Sequence, residues 1–214
     1  MGLALVLGGA WFAFVPFPQE KGYTFVAAWG SKGSGPGEFH DPTGIIAHGN
    51  HVFVADARNA RIQVFDFSGI FQFQFGTQGK QSGQLERPMN LTIANNELYV
   101  PDYWNDRIEV FTLKGTPIKT IGHTGSDPGA FKAPGGIAVT ENGDVFVADF
   151  YNHRIQKFTS DGTFLTTFGK EGSGPGELHY PLAVTVADDG TVFVTDFGNN
   201  RCRSGNLLEA RELV

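Results

Sequence analysis

The sequence predicts an all-β fold of small four-stranded antiparallel sheets set radially around an axis, and three observations predict it. The first is a motif, Asp-x-x-Asn-x-Arg, found four times: Asp56, Asn59 and Arg61; Asp102, Asn105 and Arg107; Asp149, Asn152 and Arg154; Asp196, Asn199 and Arg201. Strand-forming residues flank each copy, and the aspartates at 56, 102, 149 and 196 are spaced as successive sheets of an array would be. Second, Gly30, Gly76, Gly122 and Gly169 keep one register to Pro42, Pro88, Pro134 and Pro181, as do Gly37, Gly83, Gly129 and Gly176. Third, polarity rises through each unit. Ile137-Ala138-Val139 and Val145-Phe146-Val147-Ala148 are continuously apolar, as strands covered on both faces are, whereas Phe71-Gln72-Phe73-Gln74-Phe75 alternates like a half-exposed edge. Inner strands sandwiched between neighbours and outer strands at a wet rim describe the blades of a β-propeller.

In chain order, residues 1–19 come first, uncharged and mostly apolar, with Leu3 to Val15 as an apolar run. That run has the length of a signal-peptide core or a clipped membrane anchor, and Pro16 and Pro18 would end an apolar helix there. The expectation is an exported or membrane-anchored, extracytoplasmic protein that meets the membrane through this segment. The propeller follows over 21–205, with repeats near 31–76, 77–122, 123–169 and 170–205. It opens with a leading outer strand at Tyr23 to Trp29. In the third unit the strands fall at 136–139, 144–148, 154–159 and 164–168, joined by the turns Glu141-Asn142-Gly143 and Ser160-Asp161-Gly162. The fourth unit offers strands at 183–186 and 191–195, but its third is predicted to fail. Arg201-Cys202-Arg203-Ser204-Gly205 stands where the first unit has Arg61-Ile62-Gln63-Val64-Phe65. A tail, 206–214, carries helix-forming residues. About four blades are therefore represented, as part of a ring, as a closed four-bladed ring, or as an open arc able to associate with a second copy.

Composition narrows function. With 16 Lys and Arg against 22 Asp and Glu, the formal charge of −6 opposes the counterion release on which nucleic-acid binding depends. The single cysteine, Cys202, can form no internal disulfide. The repeated Asp and Arg lie across one short turn and are expected to form two-point structural pairs, with Asn bonding turn backbone. The runs Gly33 to Glu38 and Gly172 to Glu177 lead into strands rather than helices and read as connections between blades, in which Glu38 and Glu177 hold the loop backbone. The histidines are His40, His48, His51, His123, His153 and His179, and no metal-ligand spacing joins them to Cys or carboxylate. No Ser-His-Asp signature is present, so no catalytic residue, metal or cofactor is assigned.

The variable positions are more telling. Strand alternation puts the second-to-third turn of every blade on the face that carries the connections between blades. The two variable residues of Asp-x-x-Asn are displayed there: Ala57-Arg58, Tyr103-Trp104, Phe150-Tyr151 and Phe197-Gly198. Large aromatics on turns of a rigid scaffold suit partner contact. Candidate binding residues are Arg58, Tyr103, Trp104, Phe150, Tyr151 and His153, for a protein, peptide or glycan.

Pro134-x-Gly136-Ile137-Ala138-Val139, then Val145 to Asp149, Asn152-His153-Arg154-Ile155-Gln156 and the Phe168-Gly169 ending closely resemble NHL-repeat β-propellers, over Lys21 to Arg201. The resemblance implies the propeller fold and a ring of about six blades. Among similar propellers are amidating lyases with metal-bound histidines, RNA-binding proteins with basic faces, and sensor domains outside the membrane. The lyase site does not map onto these histidines. Sugar-lactone hydrolases, also propellers, carry acidic and Asn metal ligands at the axis, where this chain offers Asn90, Thr92 and Thr185 without an acidic set. Fold alone does not carry an activity.

Overall fold

The computed structural model describes residues 25–206. The predicted apolar helix at 1–19 and the tail beyond residue 206 lie outside them. Among the described residues, no helix is long and apolar enough to cross a membrane.

Four antiparallel sheets follow one another, each laid down in chain order from its inner strand outward. The first holds Pro42–His48, His51–Asp56, Arg61–Asp66 and Phe71–Phe75, and the second Thr92–Ala94, Glu97–Asp102, Arg107–Thr112 and Pro117–Ile121. The third holds Pro134–Val139, Val145–Asp149, Arg154–Phe158 and Phe164–Phe168, close to the predicted spans. The fourth holds Pro181–Val186, Thr191–Asp196 and Arg201–Asn206. A two-residue parallel ladder, Ser31–Lys32 with Glu38–Phe39, folds the first glycine-rich connector against itself.

Two expectations are corrected. Arg201–Asn206 does form a strand, paired residue for residue with Thr191–Asp196. A ladder is made by the backbone and tolerates the loss of apolar side chains at 202, 204 and 205, while Arg203, at the position of Gln63 and Gln156, keeps their bonds to the Asp and to a connector carbonyl, here Asp196 and Gly174. Conversely, residues 25–29 form no strand. Trp29 instead lays its ring near Phe65, 6.3 Å between centroids, on the outward face of the first blade.

Cores lie between blades. Phe53, Ile62 and Val64 of the first blade meet Leu98, Val100 and Phe111 of the second. Tyr99 and Val110 meet Ile137 and Val147, and Phe146 and Ile155 meet Val184 and Val194. Near the axis the backbones themselves touch. A Cβ on Gly136 would stand 2.6 Å from Ala183 Cα, and one on Gly44 2.4 Å from Met89 O. Only glycine permits that approach.

Packed sheet pairs are first with second, second with third and third with fourth. The end faces meet solvent: Ile45 on the first blade is 64% exposed and Phe193 on the fourth 43%. The described residues form an arc of blades with two apolar ends.

Candidate functional site

All four repeated aspartates are fully buried. Their carboxylates accept from a connector amide, at 2.7 Å from His40 N, 2.9 Å from Arg87 N, 2.8 Å from Lys132 N and 2.7 Å from His179 N. Asn59, Asn105, Asn152 and Asn199 donate to the same carboxylates. The expected two-point Arg pairing does not form. Arg61, Arg154 and Arg201 each reach Asp through Nε alone, at 2.8, 2.8 and 2.7 Å. Their terminal nitrogens go to connector carbonyls, such as Ser34, Gly35 and Glu38 for Arg61. A guanidinium offers five donors, and the loop needs most of them. The motif is a rivet between turn and connector, as Glu38 and Glu177 are within the loops, accepting from Gly35 N and Gly174 N at 2.8 Å.

The second blade departs from this pattern. Glu109 stands where the first and third have Gln63 and Gln156 and is fully buried. Arg107 Nε is drawn between two carboxylates, 3.9 Å from Asp102 and 3.4 Å from Glu109. Arg107 Nε and Asn105 Oδ1 have no hydrogen-bond partner among the described residues. Burial raises the Asp102 carboxyl, against the Arg87 and Glu86 amides, and burial likewise raises Asp149 against Lys132 N and Asn152. Burial acts on Asp196 too, but bonds from His179 N, Asn199, Arg201 and Arg203 together hold it below the ordinary value.

With these carboxylates spent on structure, chemistry at the loop face falls to the variable residues. Short 3-10 turns, Phe150–Asn152 and Phe197–Asn199, lift them off the strand ends. Tyr103, Phe150 and Phe197 hold one repeat position in successive blades, with centroids 6.2 and 6.4 Å apart. Tyr151 stands edge-on to Phe150 at 5.1 Å and lies 6.2 Å from Tyr103. Tyr180, from the connector into the fourth blade, stacks on Phe150 at 5.1 Å. Tyr151 is 46% and Phe197 60% exposed, so the surface is open. Burial, together with the neighbouring Tyr151, pushes the Tyr103 phenol well above its ordinary value, so the Tyr103 hydroxyl stays protonated at neutral pH.

Arg58 and Trp104 are brought together elsewhere on this face. Arg58 Nε and Arg87 Nη2 both bond Asp41 Oδ2, at 3.1 and 3.0 Å, and Arg87 lies over the Trp104 ring at 5.1 Å. The Arg58 bond, with Arg87 beside it, holds the Asp41 carboxyl below its usual value. His153 lies at the other end, its ring 4.6 Å from Tyr180 and 5.3 Å from His179.

His153, Glu171 and His179 bring potential ligand atoms within 4.8 Å of one another, a donor set of the kind zinc accepts. The detailed geometry does not fit a metal. Tyr180 N donates to His153 Nδ1 at 3.1 Å, which puts the proton of the neutral ring on Nε2 and leaves no lone pair for a cation. Asp106, at the same repeat position, accepts in the same way from Ala133 N, at 2.7 Å. His153 is the matching tie, and burial pulls its pKa down, keeping it neutral.

Sequence reasoning found the aromatic turns but missed Tyr180, His179, Glu171 and Arg87. All four come from connectors, which periodicity marks only as loops. The residue before Pro181 was the available signal, since Asp41 and Ala133 before Pro42 and Pro134 share its left-handed backbone.

Four radially stacked antiparallel sheets with riveted turns define a β-propeller. A sequence profile described as NHL repeat matches residues 131–158, within the third unit. The chain is a β-propeller that carries an NHL repeat in its third unit. No curated protein matches it. Among solved structures, a streptogramin B lyase is similar at 21% identity and TM-score 0.58, over 78% of this chain and 54% of that one. A catalytically inactive virginiamycin B lyase from Staphylococcus aureus, with quinupristin, aligns at 22% identity and TM-score 0.57, over 78% and 55%. An auxiliary nutrient binding protein from Bacteroides thetaiotaomicron aligns at 18% and 0.59, over 75% and 46%. The chain spans about half the length of these structures, and the likeness concerns the fold.

Proposed function

We infer that the chain is a non-catalytic recognition module, exported or membrane-anchored, that holds a ligand on the aromatic loop face of its second to fourth blades. One observation carries the reading: aromatic rings from three blades and one connector make a continuous open surface, while the buried carboxylates beneath are consumed by structure. Tyr and Trp supply large contact area at small entropic cost. The apolar start of the sequence supports the location, and a solved propeller named as a nutrient binding protein supports binding as a use of this fold.

The test is a ligand screen by intrinsic fluorescence, using Trp104 as reporter, on the wild type and on Tyr103→Ala/Tyr151→Ala. A ligand lost by the double variant supports recognition at this face, and a ligand bound equally by both excludes it.

A second reading, metal-dependent lyase or hydrolase action, is favoured by the His153, Glu171 and His179 cluster and opposed by the Tyr180 bond to Nδ1. Stoichiometric zinc in purified protein, lost in His179→Ala, would establish it.

A further inference from the structure

The spacing of the rings points to a class of ligand, an inference that rests on the proposed recognition function. Tyr103, Phe150 and Phe197 are equivalent residues, so their separations of 6.2 and 6.4 Å are the repeat distance of the propeller at this radius. In an extended polypeptide, side chains on one face recur every second residue, at about 6.4–6.8 Å. The two periods nearly coincide over three rings.

The ends of this ladder differ in charge. Near Tyr103, two guanidiniums, Arg58 and Arg87, share one carboxylate, Asp41, and the Asp106 carboxylate also acts on the Tyr103 phenol. Arg58 is half-exposed there, and its partner Asp41 is already doubly engaged. At the far end Glu171 is exposed beside neutral His153 and makes no ion pair among the described residues. The ladder therefore offers guanidinium donors at one end and a carboxylate at the other.

We propose that this face binds an extended peptide segment, with bulky apolar side chains at alternate positions seated along Tyr103, Phe150 and Phe197, its acidic end toward Arg58 and Arg87 and its basic end toward Glu171. The alternate side chains that point away from the rings carry no requirement. Ring contacts supply affinity, and the charged ends set direction.

The probe is a labelled seven-residue peptide with phenylalanine at positions two, four and six, serine between, aspartate at one end and lysine at the other. Binding is read by fluorescence anisotropy against three comparators: the same composition with the phenylalanines contiguous, the alternating peptide with serine ends, and cellohexaose as competitor. The alternating peptide is expected to bind at least tenfold more tightly than the contiguous one. Phe197→Ala, which removes an exposed ring, should weaken it about tenfold. The advantage of charged over serine ends should be severalfold at low salt and vanish near 1 M.

Equal binding of the contiguous peptide, or insensitivity to Phe197→Ala, overturns the ladder. Displacement by cellohexaose, with no preference among the peptides, overturns the peptide class while leaving recognition at this face standing. Failure of every probe, with a screened ligand still lost in Tyr103→Ala/Tyr151→Ala, does the same. Failure of every probe and of the screen overturns both.

Discussion

At the scale of single residues, four copies of one motif serve as internal controls. Asp149 is fully buried, tied to Lys132 N, Asn152 and Arg154. Asp149→Ala leaves the Arg154 charge without its partner and should cost about 3–5 kcal/mol in denaturant unfolding. The second blade predicts the opposite sign. Glu109→Gln would remove the surplus buried charge, and the new amide could donate to Asp102 and a connector carbonyl as Gln63 and Gln156 do. A gain of about 1 kcal/mol is expected. The pH dependence separates the blades as well. The Asp102 carboxyl is raised, so its contribution is full below the ordinary value of 3.8 and is lost as pH rises through the folded value. The Asp196 carboxyl is lowered, so its contribution is present above 3.8 and lost as pH falls through the folded value. Amide exchange should therefore show the second blade loosening as pH climbs from about 4, and the fourth loosening as it drops below.

At the scale of elements, strands were legible where burial demands apolar side chains. Val145–Asp149 and Phe71–Phe75 fell where patterning put them, continuous and alternating respectively. Patterning failed at Arg201–Asn206, because a ladder is backbone chemistry and forms even where Cys202, Ser204 and Gly205 replace the apolar Ile62, Val64 and Phe65. It failed in the other direction at residues 25–29, which have strand-like side chains but no ladder neighbour among the described residues. Glycine between Pro134 and Ile137 is a packing requirement rather than a turn. Gly136→Ala would drive a methyl to 2.6 Å from Ala183 Cα, wedging the third and fourth blades apart. A loss of about 1–3 kcal/mol by thermal or denaturant melting is expected, with exchange rising on both sides of that contact.

At the scale of the whole molecule, the blade architecture was readable from the repeat, and half of the candidate surface with it. The aromatic turns sit at fixed offsets from Asp and Asn, whereas Tyr180 and His179 reach the same surface from a connector about 27 residues beyond their contacts, a relation that periodicity does not encode. The exposed end faces predict association: sedimentation of the 214-residue chain should show concentration-dependent growth in mass, and Phe193→Asp should suppress it without lowering stability. The riveted turns also give the chain a direction in time. Arg61 and Asn59 bind carbonyls at 33–38, Arg154 and Asn152 those at 125–130, and Arg201 and Asn199 those at 172–177, always in segments that precede them. During synthesis, each sheet can thus be locked as soon as its third strand leaves the ribosome, using only polypeptide already made. A stalled product would end in finished units rather than in a collapsed, half-sorted chain.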